Sequence, residues 1–133
     1  MKRIFKLLSG IILFIMAGCY QEQPSRTIVD AWEKAGADQI EIKKALLECG
    51  ILHLDGRLNI EMSLDKKLNE EEAKRLCMIQ AGFHEKFGMV KLCEKHENLP
   101  ICQTDAIIPQ RNVDRRLNSP HCKEYKEQPE CQL

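Results

Sequence analysis

Cys93-Glu-Lys-His-Glu-Asn-Leu-Pro-Ile-Cys102 and Cys122-Lys-Glu-Tyr-Lys-Glu-Gln-Pro-Glu-Cys131 align without a gap. Pro100 matches Pro129, a ring residue stands at His96 and at Tyr125, and Gln103 and Gln132 follow the closing cysteines. This is one small loop used twice, and it predicts the disulfides Cys93–Cys102 and Cys122–Cys131, each stiffened on its return by a proline. Closing such a loop restricts the unfolded chain by about 2.7 kcal/mol on a loop-entropy estimate. Cys49 and Cys77 are then left to each other across a longer loop, worth about 3.6 kcal/mol on the same estimate. Six cysteines allow many connectivities, and it is the repeat that singles out this one. A zinc site drawn from Cys93, His96, His121 and Cys122 is the competing use of these residues, and an oxidising compartment works against it. No two cysteines lie close enough for a C-x-x-C redox pair.

Upstream of the loops the periodicity is helical. Thr27 can cap a short helix through Ala35, with Ile28, Ala31 and Trp32 on one face and Gly36 as its stop. Asp38 can cap a second helix in which Ile42, Ala45, Leu46 and Cys49 recur at helical spacing, Glu41, Lys43, Lys44 and Glu48 face water, and Gly50 ends it. Residues 51–68 alternate weakly around an Asp55-Gly56 turn; a hairpin is possible there, and a loop is the preferred reading. Asn69-Glu-Glu-Glu72 resembles a capping box with acids in the first turn, opening a helix through Ala73, Leu76, Cys77 and Gln80 to Gly82. Phe83, Phe87, Met89, Val90 and Leu92 can then close the core, whereas residues 103–121 carry little periodicity. The expected fold class is mainly α: a small helical domain stapled by disulfides, with irregular C-terminal loops. With few aromatics the core is modest, so the staples supplement it.

The N-terminus reads as an export signal. Lys2, Arg3 and Lys6 precede an apolar run from Leu7 to Ala17, eleven residues long where a spanning helix needs about 20. Met16-Ala17-Gly18-Cys19 resembles the lipobox of bacterial lipoproteins, which implies cleavage before Cys19 and lipidation of its sulfur. The parity of the cysteines agrees: seven in all, one lipidated and six to pair. The expected organisation is therefore a signal peptide over 1–18, a lipidated cysteine and polar tether over 19–27, and a disulfide-stapled helical domain over 28–133. Tyr20 and Gln21, rather than Asp, follow the cysteine, which in the lipoprotein pattern implies the outer membrane with the domain facing the periplasm. The whole chain has no net charge, and loss of residues 1–18 leaves 17 basic against 20 acidic side chains. Charge and compartment together argue against a nucleic-acid partner.

Trp32-Glu-Lys-Ala-Gly36, Ala45-Leu-Leu-Glu-Cys-Gly50 and the stretch from Asn69-Glu through Cys77-Met78 to Gly82-Phe83, followed by the C-x8-C loop, resemble a group of small uncharacterised lipoproteins of Gram-negative bacteria that are often carried on prophages. The resemblance spans Trp32 to Cys102 and implies a location rather than an activity. By analogy, a prophage-linked member would act in exclusion or immunity.

Catalytic signatures are absent from the sequence. His53, His84, His96 and His121 are scattered, with no H-E-x-x-H, G-x-S-x-G or glycine-rich phosphate loop, and each is expected at or near the surface as an ordinary polar residue. Arg111, Arg115 and Arg116 form a basic cluster on an expected loop, either a solvated face or a contact for anionic lipid heads or an acidic partner. Trp32 and Phe83 are expected as core anchors. The functional expectation is a non-enzymatic protein-binding module at the membrane surface, without cofactor or metal, recognising an envelope protein. The alternatives are an envelope hydrolase or small-ligand carrier with a site built from distant residues, or a structural component that associates with itself or the cell wall.

Overall fold

The structure is a computed structural model that describes residues 27–55, 63–86 and 92–133. The signal, Cys19 and the tether lie outside these residues, as do Gly56, Phe87, Met89 and Val90.

Two helices of similar construction make the core. Helix α1 spans Gln39–Glu48 and starts where the Asp38 carboxylate accepts the Glu41 N–H at 2.8 Å. Helix α2 spans Leu64–Gln80. Both end in a glycine at positive φ, Gly50 at 104° and Gly82 at 92°, a conformation that side chains other than glycine's rarely tolerate. At each end the glycine N–H reaches back to Leu47 or Ile79, and the next N–H, of Ile51 or Phe83, reaches Leu46 or Met78. That double closure is a Schellman turn, and it drops the residue after the glycine into the core. Phe83 is fully buried there among Leu46, Leu47 and Met78. Cys49, capping α1, joins Cys77 of α2 with a Cα separation of 5.6 Å, both side chains buried. The fold is mainly helical and disulfide-stapled, as expected from the sequence.

The first expected helix is cut short. Thr27 does cap a turn, its N–H donating to the Asp30 carboxylate at 2.9 Å, but that turn is a 3-10 segment over Ile28–Ala31. The backbone is extended by Trp32, and strand β1 (Trp32–Glu33) pairs antiparallel with β2 (His84–Glu85). The pairing outweighs local preference because it buries Trp32, 6% exposed, beside the strand that leaves Gly82. The Asn69 capping box is a second correction. Helix α2 begins at Leu64, after Ser63, so Asn69 sits inside it, and its Oδ1 accepts the Ile101 N–H at 2.8 Å. The loop preferred for 51–68 holds for Ile51–Asp55, while Leu64–Leu68 belong to α2.

The repeat is structural as well as sequential. Short helices α3 (Leu92–Lys95) and, further on, α5 (Pro120–Glu124) each lead into a proline-started 3-10 turn, Pro100–Cys102 and Pro129–Cys131. His96 and Tyr125 donate their N–H to Leu92 and His121 respectively, both at 2.8 Å. The following glutamines close each loop from outside: Gln103 Nε2 donates to the Glu97 carbonyl at 2.9 Å, Gln132 Nε2 to that of Lys126 at 2.7 Å. Both loops are closed by the disulfides that the repeat predicts. They dock differently, the first on α2 through Asn69 and the second against α1. Between them helix α4 (Val113–Leu117) is capped by Asn112 and packs on α1.

Replacing Cys49 and Cys77 together by alanine is expected to lower the unfolding free energy by about 3.6 kcal/mol, against about 2.7 kcal/mol for the Cys93 and Cys102 pair. Urea unfolding of the two double variants measures both, and the opposite order would contradict a loop-length origin.

Candidate functional site

Two of the three clustered arginines, Arg111 and Arg116, turn toward α1, while Arg115 stays exposed. Glu48, at the last turn of α1, is 5% exposed, although helical spacing had placed it toward water. Its carboxylate accepts from Arg111 Nε at 3.2 Å and Nη2 at 3.3 Å, and from Arg116 Nε at 3.0 Å. Its main-chain oxygen accepts from Arg115 Nη1 at 2.8 Å and from the Asn112 N–H at 3.2 Å. Arg111 also reaches Glu41 at 2.7 Å. Burial works against the charge on Arg111, but the hydrogen bonds and charges of Glu41 and Glu48 outweigh it and raise its pKa. Arg116, 3% exposed, spends Nη1 on the carbonyls of Glu130 and Gln132, both at 2.6 Å. The expected loop is corrected in part: Arg115 and Arg116 lie in α4, Arg111 and Arg116 are engaged within the domain, and Arg115, exposed, places Nη1 on the Glu48 carbonyl. A buried carboxylate needs such partners, and the segment from Arg111 to Arg116 supplies them at the C-terminal end of α1, where cations also suit the helix dipole.

Beyond Arg116 lies a polar groove of 540 Å³ whose walls include Thr27, Lys43, Leu54, Asp55 and Tyr125. His121 and Glu130 stand together in it, Nε2 donating to the carboxylate at 2.8 Å, with the Tyr125 ring 5.1 Å from the imidazole. Glu130 is buried, which raises a carboxyl pKa, but the His121 hydrogen bond, main-chain bonding and the charges of Lys43 and His121 pull it below its ordinary value. Each of the two residues immediately precedes a cysteine of one disulfide, and the bridge brings them together. The equivalent positions of the first loop hold Leu92 and Ile101, so the pair belongs to one copy of the repeat. Cys131 Sγ lies within 4.8 Å of both, but it is bonded to Cys122 and cannot act as a thiolate, which leaves two ligands where a metal site wants three or four. Cys93 of the zinc alternative is likewise in a disulfide.

A second concavity, 280 Å³ and largely apolar, opens between α1, α2 and the sheet, with Ile28, Trp32, Leu46, Leu68 and Met78 among its lining. Its polar side is formed by Glu71, Glu72, Lys74, Arg75 and Glu85. Arg75 Nη1 donates to Glu72 at 3.1 Å, and Arg75 Nε lies 3.4 Å from Glu85 without hydrogen-bond geometry, so that this buried nitrogen has no partner. Sequence reading missed both concavities, because each joins residues from three or more elements. Only the flanking of Cys122 and Cys131 by His121 and Glu130 was a signal in the chain itself.

Trp32 and Phe83 anchor the core, His84 is exposed, and His53 and His96 are half-buried. Among the described residues no helix is long and apolar enough to cross a membrane. Comparison with family models, with curated proteins and with solved structures gives no match to this chain.

Glu48→Ala leaves Arg116 buried without its carboxylate and is expected to cost about 3–5 kcal/mol, whereas Arg115→Ala, from an exposed side chain, costs about 1 kcal/mol. Urea unfolding distinguishes them. Because Glu130 titrates lower when folded than unfolded, its contribution to stability is complete above the ordinary carboxylate range and is lost as the pH falls through its folded value. Thermal unfolding followed down the acid limb checks this, with His121→Ala expected to flatten that part of the profile.

Proposed function

We propose that this chain is a lipid-anchored envelope protein whose disulfide-stapled domain binds another protein at the membrane surface and performs no chemistry of its own. The observation that carries the reading is the arithmetic of the cysteines. Cys49, Cys77, Cys93, Cys102, Cys122 and Cys131 are consumed by three disulfides, so the odd seventh cysteine is Cys19, at the end of the lipobox-like Met16-Ala17-Gly18-Cys19. Disulfides suit an oxidising compartment, and a diacylated cysteine with a further acyl chain anchors firmly where one chain would be marginal. The tether of residues 19–27 spans at most about 30 Å when extended, which keeps the domain near the bilayer. A small, cross-linked domain loses little entropy when it binds, and that favours recognition by a preformed surface. The outer membrane is the expected residence, from Tyr20 and Gln21 after the cysteine.

Intact mass of the membrane-extracted protein is expected to show a chain beginning at Cys19, carrying acyl chains and lacking six hydrogens. A mass equal to residues 1–133 unmodified would sink the anchor. For the binding role, cross-linking in intact cells is expected to capture a discrete protein partner that is lost with Cys19→Ala. Recovery of the monomer alone would favour a ligand carrier or an enzyme.

A further inference from the structure

The apolar pocket between α1, α2 and the sheet has an unbalanced charge at its edge. Glu71 is paired with Lys74 at 2.9 Å, which leaves Arg75 to serve two carboxylates, Glu72 at 3.1 Å and Glu85 at 3.4 Å. Only the Glu72 contact is a hydrogen bond. Glu85, whose side chain is 16% exposed, thus receives no hydrogen bond from the described residues, and among the described lining three carboxylates, Glu71, Glu72 and Glu85, face two cations, Lys74 and Arg75. Burial first, and the Glu72 charge with it, raises its pKa against the opposing pull of Arg75. A partly desolvated carboxylate in such a surrounding favours an approaching cation.

The rest of the pocket asks for an apolar group. Trp32, Leu46, Leu68 and Met78 form its lining, and Trp32, Leu46 and Met78 are themselves buried. At 280 Å³ it falls below the roughly 300–1,000 Å³ of pockets that enclose drug-sized ligands. One or two bulky side chains are the matching scale, and such an anchor in a desolvated pocket is how small interfaces gain most of their affinity.

We infer that this pocket is the partner-binding site, receiving from a polypeptide a bulky apolar side chain with a lysine or arginine next to it, the cation lying against Glu85. This rests on the binding-module reading and names the chemistry its partner presents. An acidic neighbour on the partner is disfavoured by the same excess of carboxylates.

Trp32 is the chain's single tryptophan and lines the pocket, so its fluorescence reports occupancy. The lipidated protein extracted from membranes, in phosphatidylcholine vesicles, is titrated with tryptophan-free peptides acetyl-Gly-Ser-X-Z-Ser-Gly-amide, where X is Leu, Phe or Ala and Z is Arg, Gln or Glu. Saturable changes are expected with Leu-Arg and Phe-Arg, with affinity about tenfold weaker for Ala-Arg and for Leu-Glu. Glu85→Gln in the protein should remove the advantage of Arg over Gln and leave the Leu-Gln response in place. Equal responses across the series would overturn the inference. No response to any peptide, with a partner still captured by cross-linking in cells, would overturn the pocket and leave the binding module standing. A response to palmitate or hexadecyltrimethylammonium and to no peptide would overturn both in favour of a small-ligand carrier.

Discussion

The carboxylate of Glu48 is the constraint around which the C-terminal half is arranged. A carboxylate taken out of water at the end of α1 is tolerable only if its oxygens are met by fixed donors, and here the donors are guanidinium groups from one short segment, Arg111 to Arg116. A five-residue helix such as α4 is too short to persist alone. It is held by its Asn112 cap, by Arg115 on the α1 carbonyl, and by Arg111 and Arg116 on Glu48. Arg116 passes the order on, since its second nitrogen holds the carbonyls of Glu130 and Gln132 and so seats the last cysteine loop against α1. One buried charge thereby adds to the burial of Cys122 and Cys131 in fixing α4 and the last cysteine loop against α1.

How far the sequence discloses this depends on how local each cause is. The Schellman ends at Gly50 and Gly82, the Asp38 cap and the two cysteine loops are set by residues within a few positions of one another, and reading them from the chain was sufficient. The failures have the opposite character. Trp32 leaves its helix because a strand fifty residues away offers a partner, and Asn69 looks like a cap only until the helix is seen to begin at Leu64. Glu48 lies on the polar side of its helix by spacing, and nothing near it in sequence reveals that three arginines from beyond residue 110 will cover it. The arginine cluster was visible; its direction was not, because charge in a sequence has magnitude and place but no orientation. The apolar pocket was equally hidden, since Leu46, Leu68 and Glu85 meet only through tertiary packing.

The two ends of the domain's surface follow from that division. On the arginine side Arg111 and Arg116 are spent on Glu48, Glu41 and the carbonyls of the last loop, and Arg115 places one nitrogen on the Glu48 carbonyl. At the apolar pocket Glu85 remains incompletely matched by the described cations. Incomplete satisfaction costs stability and is retained most readily where an incoming group completes it. A domain of modest core can bear that cost because its three covalent links restrict the unfolded chain.

Those links have an arithmetic of their own. From Cys49 onward the cysteines pair off in consecutive twos along the chain, so that no bridge encloses or crosses another. If the chain is exported as proposed, an oxidant joining thiols in their order of emergence would make the native set directly, with no reshuffling step. The register of that pairing begins at Cys49 only if the cysteine ahead of it is silent. A free thiol at Cys19 would be first in line, and joining it to Cys49 would displace every later bond by one place and strand Cys131. A thioether on Cys19 would therefore protect the folding register of the domain as well as hold it to the membrane.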